Sequence, residues 1–207
     1  DSEVTGIAGL CVDHDLIAIC DEVYEEIYFE GEHLRLATYP GMAERTVLLS
    51  SVGKTYSLTG WKVGWAIAPP ALTRGVRSAH QYLTFTTPTP VQHGTVGALA
   101  APATYYDELR ADYRRRRDRL IGGLAGVGFD VHPPQGTYFV MVGYSNLSDE
   151  DDRAFVQRLI REAGVAAVPP GPFYHDARAG HGLLRFAFCK SEDALDEAIA
   201  RLARYLT

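Results

Sequence analysis

Lysine is scarce in this chain. Lys54, Lys62 and Lys190 are the only three among 207 residues, against seventeen arginines. Cysteine is sparse and unpaired in pattern: Cys11, Cys20 and Cys189 form an odd set without C-x-x-C spacing, which fits a reducing compartment and gives no disulfide framework. Cys20 ends one apolar run and Cys189 follows another, so both are read as small buried hydrophobes. No stretch approaches the ~18 consecutive apolar residues of a membrane span, and no signal peptide is read. These absences point to a cytoplasmic protein with no membrane partner, and no metal site is expected. Positive charge is also lacking. The net charge is −6 and the pI about 5.6, which argues against a general nucleic-acid binder. The one basic run, Arg114 to Arg117, falls within a helical pattern and reads as a solvated helix face.

The chain is 46% hydrophobic, enough for one large or two small domains with real cores. Ser2 is a candidate N-cap for a helix with an apolar face at Val4, Ile7 and Leu10. Leu16 to Cys20 is a continuous apolar run, the pattern of a buried parallel strand. Thr46 to Ser51 and Trp61 to Ala68 are two more such runs. Pro69-Pro70 ends the third and opens a helix to about Phe85. Another helix covers Val91 to Ala100. A long charged helical pattern over residues 104–126 reads as a connector. Beyond it the character becomes α+β, with short strands at Phe129–Val131, Tyr138–Tyr144 and Leu183–Phe188 and helices at Asp151–Ala163 and Glu192–Tyr205. Residues 1–103 and 104–207 are accordingly expected to form two domains. The opening D-S-E-V-T-G-I-A-G-L carries no methionine and begins at once on a helix, so sequence upstream is expected.

The scarce lysines concentrate in S-S-V-G-K-T-Y-S-L-T-G-W-K-V-G-W, residues 50–65. Arginine keeps its proton in proteins, whereas a lysine amine can lose it and form an imine with a carbonyl. Lys54 follows Gly53, a residue that permits close ligand approach. Ser51, Lys54 and Lys62 offer a hydroxyl, an amine and a second cation around one loop, a set suited to a phosphorylated aldehyde. The alternative is a surface loop with two ordinary lysines. The glycine spacing is not that of a Walker loop. Asp21 closes the first strand, where ligands gather in open α/β sheets, and could hold a cation or a protonated ring nitrogen. Its alternative is a cap for the turn beginning at Glu22. Tyr24, three residues on, shares a side with Asp21 if the segment is one helical turn. Arg185, in the alternating strand G-L-L-R-F-A-F, is either a bidentate carboxylate clamp or half of an internal salt bridge.

Taken together, I-A-I-C-D-E-V-Y-E-E-I, the Lys54 segment and L-L-R-F-A-F-C-K resemble the fold-type-I, class I/II aminotransferases in letters, order and spacing, over nearly the whole chain. The resemblance is greatest to the branch of kynurenine, glutamine and methionine aminotransferases and cysteine-conjugate β-lyases. N-succinyldiaminopimelate aminotransferases are similar too. It implies an α/β fold: the C-terminal part of a large, mostly parallel domain, followed by a smaller α+β domain. It implies pyridoxal 5′-phosphate (PLP) as cofactor. Lys54 matches the Schiff-base and catalytic lysine, Asp21 the partner of the ring nitrogen, Tyr24 the donor to the ring's phenolic oxygen. Ser51 and Lys62 match phosphate ligands, many family members having arginine where Lys62 stands. Arg185 matches the clamp for the substrate's α-carboxylate.

The implied activity exchanges an amino group between an L-amino acid and a 2-oxo acid, in a homodimer. Carbon–sulfur β-elimination, N-succinyldiaminopimelate transamination and an aminotransferase-like sensor of a transcription regulator are the alternatives. A phosphate-binding turn, a stacking aromatic ring and an N-P-x-G-type segment have no candidates here, so these residues alone are expected not to sustain transamination. Tyr82, Phe85 and T-T-P-T-P at 86–90 are read as pocket-lining, which favours an aromatic or thioether side chain.

Overall fold

The computed structural model describes residues 1–206. The chain has an α/β fold with two mixed or antiparallel three-stranded sheets. It divides into two compact units, Asp1–Tyr106 and Asp107–Thr207.

The first unit contains helix α1 (Ser2–Asp13), strands β1 (Ala18–Asp21), β2 (Thr46–Ser51) and β3 (Gly64–Ile67), and helices α2 (Pro70–Leu83) and α3 (Thr89–Leu99). β2 is central. It runs parallel to β1, with Asp21 opposite Leu49, and antiparallel to β3, with Ser51 opposite Gly64. The third strand was expected to be of the same parallel kind. It is antiparallel because residues 52–63 supply turns and one 3-10 turn (Thr59–Trp61) rather than a crossover helix, so the chain doubles back along β2.

Packing in this unit departs from the sequence pattern in three places. The N-cap of α1 is Asp1, with Ser2 already helical and no side-chain cap bond. The packed face of α1 is Val4, Ala8 and Cys11 against Leu36, Tyr39 and Met42, while Ile7 and Leu10 are exposed. Both stripes satisfy helical spacing, and the tertiary partners choose between them. β1 is covered on one face only: Ala18 and Cys20 join that cluster, whereas Ile19 is 70% exposed. Cys20 and Cys189 are therefore half-buried, and Cys11 is the buried cysteine. All three are free.

Helix α4 (Ala103–Val127) begins in the first unit and continues into the second. There follow β4 (Asp130–His132), β5 (Phe139–Gly143), α5 (Asp152–Arg158) continued by one π turn (Leu159–Ala163), β6 (Leu183–Ala187) and α6 (Glu192–Leu206). β5 is central and antiparallel to both neighbours. The pleat sorts its residues: Val140 and Val142 on β5, with Leu184 and Phe186 on β6, enter the core, while Phe139 and Arg185 lie on the opposite face. Asp151 caps α5 by accepting from the Ala154 N–H at 2.8 Å. The basic run on α4 is less solvated than its charge pattern implies. Arg115 and Arg116 pair with Asp112 one turn back, and Arg119 reaches Asp196 on α6 at 2.9 Å. Arg117 is largely covered, with Nη1 donating to the Pro134 carbonyl. Among the described residues no helix is long and apolar enough to cross a membrane.

Adjacent glycines on α4 have opposite surroundings. A Cβ at Gly122 would meet nothing within 4 Å, whereas one at Gly123 would lie 2.8 Å from Ile199 Cγ2 on α6 and nearer still to two other carbons of that side chain. Gly122→Ala should raise stability by up to about 1 kcal/mol through helix propensity. Gly123→Ala should lower it by about 1 kcal/mol net, overpacking outweighing the same propensity gain. Chemical-denaturation midpoints of the two variants should move in opposite directions.

Candidate active site

The register of β2 assembles the first group of predicted residues. Because β1 is parallel to β2, their carboxyl ends lie side by side, and the Glu22 N–H donates to the Leu49 carbonyl at 2.8 Å just beyond them. Asp21 ends β1, and Ser51 ends β2 with Lys54 three residues past it. Because β3 is antiparallel, its first residues return beside the end of β2. The Val52 N–H donates to Val63 O at 3.2 Å, which brings Lys62 next to Ser51 and Lys54. Ser51, Gly53, Lys54, Thr59 and Lys62 line one cavity of about 330 Å³.

Local bonds fix this loop. Thr59 Oγ1 donates to the Gly53 carbonyl at 2.7 Å, and the Gly53 N–H donates to Ser51 Oγ at 3.1 Å. The Ser51 oxygen thus accepts from the backbone and keeps its own proton to donate. A Cβ at Gly53 would come within 3.2 Å of that oxygen, so glycine here keeps the hydroxyl accessible. Lys62 sits at φ 55°, ψ 43°, in the left-handed region, which costs a non-glycine residue about 1–2 kcal/mol. It is exposed and makes no ion pair among the described residues.

Asp21 is exposed, and Oδ1 accepts from the Val23 N–H at 3.3 Å. That is a capping contact, but residues 23–26 form turns rather than a helix, so the helical argument for placing Tyr24 beside Asp21 does not hold. Tyr24 is placed instead by the turn, and the Lys54 ammonium lies over its ring at 5.7 Å. No cation pairs with Asp21 among the described residues.

Residues that sequence reasoning missed hold this turn in place. Glu22, only 6% exposed, meets His33 Nε2 at 2.8 Å. Arg35 bonds Glu25 at 2.5 Å, and Ser50 Oγ donates to the other oxygen of Glu25 at 2.8 Å. The hydrogen bond to Glu25 raises the Arg35 pKa further above its ordinary value. The turn bearing Tyr24 is thereby tied to β2 one residue before Ser51. On the other side, Tyr56 stacks on Tyr105 with centroids 5.7 Å apart and shares a hydrogen bond of 2.7 Å with the Tyr106 hydroxyl. Tyr105 OH donates to the Thr55 carbonyl at 2.7 Å. Burial, then the bond to Tyr106, pushes the Tyr56 phenol well above the usual tyrosine range, so it stays neutral. The Tyr105-Tyr106 pair was visible in the sequence, but its partner fifty residues away was not.

Tyr82 and Phe85 do not line the cavity. They are 87% and 79% exposed, because α2 has no buried residue and its end carries both rings into solvent.

In the second unit, Arg185 is half-buried on β6. Among the described residues it has no ion pair, which removes the internal salt bridge as its explanation. Its Nε is buried without a hydrogen-bond partner.

The sequence matches the family described as aminotransferase class I and II over residues 1–202. The chain belongs to the class I and II aminotransferases. The probable N-succinyldiaminopimelate aminotransferase of Mycobacterium tuberculosis is 42% identical over 98% of this chain and 53% of its own length. The methionine aminotransferase of Escherichia coli is 42% identical over 91% of this chain and 49% of its own. The solved structure of the M. tuberculosis N-succinyldiaminopimelate aminotransferase superposes with a TM-score of 0.94 at 43% identity, covering 98% of this chain and 53% of that one. The chain spans about half the length of these relatives.

Class I and II aminotransferases are PLP enzymes, and the residues of the first unit fit that group. The cavity offers two ammonium groups and a hydroxyl with a proton to donate, the donor set a phosphate needs. Asp21 presents a carboxylate that no cation among the described residues pairs with. Lys62→Gly should leave the melting temperature unchanged or higher, because glycine adopts the left-handed backbone without strain. The same variant should weaken PLP binding roughly ten-fold through loss of a charged phosphate contact. Thermal melts without added cofactor and an absorbance titration with PLP measure the two effects separately. A marked fall in melting temperature, or unchanged affinity, would contradict the assignment.

Proposed function

We propose that this protein transfers an amino group between an L-amino acid and a 2-oxo acid with PLP as cofactor. The observation that carries this reading is the clustering of Ser51, Lys54 and Lys62 around one cavity at the carboxyl end of β2, with Lys54 over the Tyr24 ring.

Ser51 and Lys62 hold the cofactor's phosphate, the serine as hydrogen-bond donor and the lysine as charge. Asp21 holds a proton on the ring nitrogen, and Tyr24 donates to the ring's phenolic oxygen. When bound, PLP supplies a conjugated ring that accepts the electron pair left when the substrate α-carbon loses its proton. Lys54 anchors the cofactor through its amine. When not bonded to the cofactor, that amine would take the proton from the substrate α-carbon and give it back as a general acid–base. Arg185 takes the substrate's α-carboxylate. Residues 1–103 are assigned to the large cofactor-binding domain and 104–207 to the small domain. A homodimer in a reducing cytoplasm is the setting we propose, in keeping with three free cysteines.

The relatives offer two donor classes, N-succinyldiaminopimelate and methionine, at equal identity. A screen of amino donors with 2-oxo acid acceptors separates them from the aromatic class.

Lys54→Arg keeps the charge but cannot give up its proton. It should abolish the visible absorbance band of PLP bound to the protein and lower transamination by at least ~10³-fold, as should Lys54→Ala. A visible band in either variant would remove Lys54 from the centre of the site.

A further inference from the structure

The Arg185 guanidinium lies over two aromatic rings, 4.3 Å from the Phe139 centroid and 5.1 Å from that of Phe173. The rings arrive by different routes. Phe139 is on β5, on the same sheet face as Arg185. Phe173 ends the short 3-10 turn Gly171–Phe173, on a segment pinned to β6 by two backbone bonds between Val168 and Arg185, of 2.9 and 3.0 Å.

That turn is anchored from below. The Gly171 N–H donates at 2.6 Å to Oδ2 of Asp152, a carboxylate only 3% exposed, whose other oxygen accepts from the Arg153 N–H at 3.1 Å. A Cβ at Gly171 would lie 2.8 Å from Asp152 Oδ2, so the approach needs glycine. A buried carboxylate without a cation is costly unless hydrogen-bonded. Here its bonds hold a surface turn in place. The ring carried by that turn is 69% exposed, so core packing does not explain it, and the cation beneath it does.

Aromatic rings engage a guanidinium through its π faces and leave its N–H edge for a partner, the geometry of a bidentate carboxylate. Among the described residues no carboxylate pairs with Arg185, and its Nε is buried without a hydrogen-bond partner. We propose that Phe173 is a positioning residue, which, anchored through Asp152, restricts Arg185 beside Phe139 and presets its N–H edge for the carboxylate of a ligand. This rests on the aminotransferase reading for the identity of that ligand.

The test uses 3-phenylpropanoate, which has the carboxylate but no amino group, titrated calorimetrically into the full protein. Phe173→Ala and Phe173→Leu should both weaken binding roughly ten-fold, the leucine failing because it restores bulk without a π face, and Phe173→Tyr should stay within about two-fold of the parent. In turnover, the alanine variant should raise KM for amino donor and 2-oxo acceptor together by a similar factor, with kcat within about three-fold and the PLP band unchanged. Parent-like binding by Phe173→Leu or Phe173→Ala, or no binding by the parent protein, overturns the proposal. If the parent forms no visible band with PLP, the aminotransferase reading falls while the carboxylate titration still decides the clamp.

Discussion

β2 is hydrogen-bonded on both edges, and the register on those edges decides which side chains meet. The parallel edge sets Asp21, the end of β1, opposite Leu49, close to the end of β2 at Ser51, so the turn after Asp21 and the loop after Ser51 leave the same end of the sheet. The antiparallel edge returns Lys62 beside Ser51. A slip of one residue on either edge would turn every side chain to the opposite face, sending Ser51 away from Lys62. The bonds around the sheet reinforce this register: Ser50 to Glu25, Thr59 to Gly53 and Tyr105 to Thr55 each tie a loop to the strand or to the residues beyond it. The cavity is a consequence of strand alignment first and of loop sequence second.

The charged residues divide along the same line. Most of the arginines on α4 settle with acids on their own helix or on α6, as Arg115 and Arg119 do. Such exposed pairs contribute little each and make few demands beyond surface position. The two lysines near β2 are treated differently. Lys62 is held in a strained backbone without an ion pair, and Lys54 is half-buried over an aromatic ring. An arginine at 54 would keep the contact with Tyr24 and lose the ability to exchange a proton.

What could be read from sequence was whatever depended on neighbours along the chain. β2 was bounded correctly, because a continuous β-branched and leucine run with turn residues on either side admits one reading. α2, α4 and α6 followed from periodicity and from Pro70. What depended on partners across space was not legible. Ile7 and Ala8 are both apolar positions on α1, and Leu36, Tyr39 and Met42 select between them. Ile19 sits in a run with the composition of a strand covered on both faces, yet its burial depends on what lies over it. At the site, the residue types and spacing were visible, while the brace of Glu22, Glu25 and Arg35 was hidden: an acidic D-E-V-Y-E-E stretch does not announce which of its carboxylates turn inward.

Arg185 shows how a local rule broken in the fold marks function. A half-buried guanidinium loses hydration, and the usual remedy is a carboxylate within reach. The second unit supplies two aromatic rings instead. Cation–π contacts return about 0.5–2 kcal/mol each, and they satisfy the faces of the group but none of its N–H donors. A leucine or methionine at 185 would pack against Phe139 with no donor left over, so stability alone does not explain an arginine there. On our proposal those donors are left for a ligand. Its acceptor must be flat, anionic and able to enter edge-on, and a carboxylate meets all three conditions. On that proposal the arrangement trades some stability of the folded unit for readiness toward a ligand, as expected where local consistency gives way at a functional position.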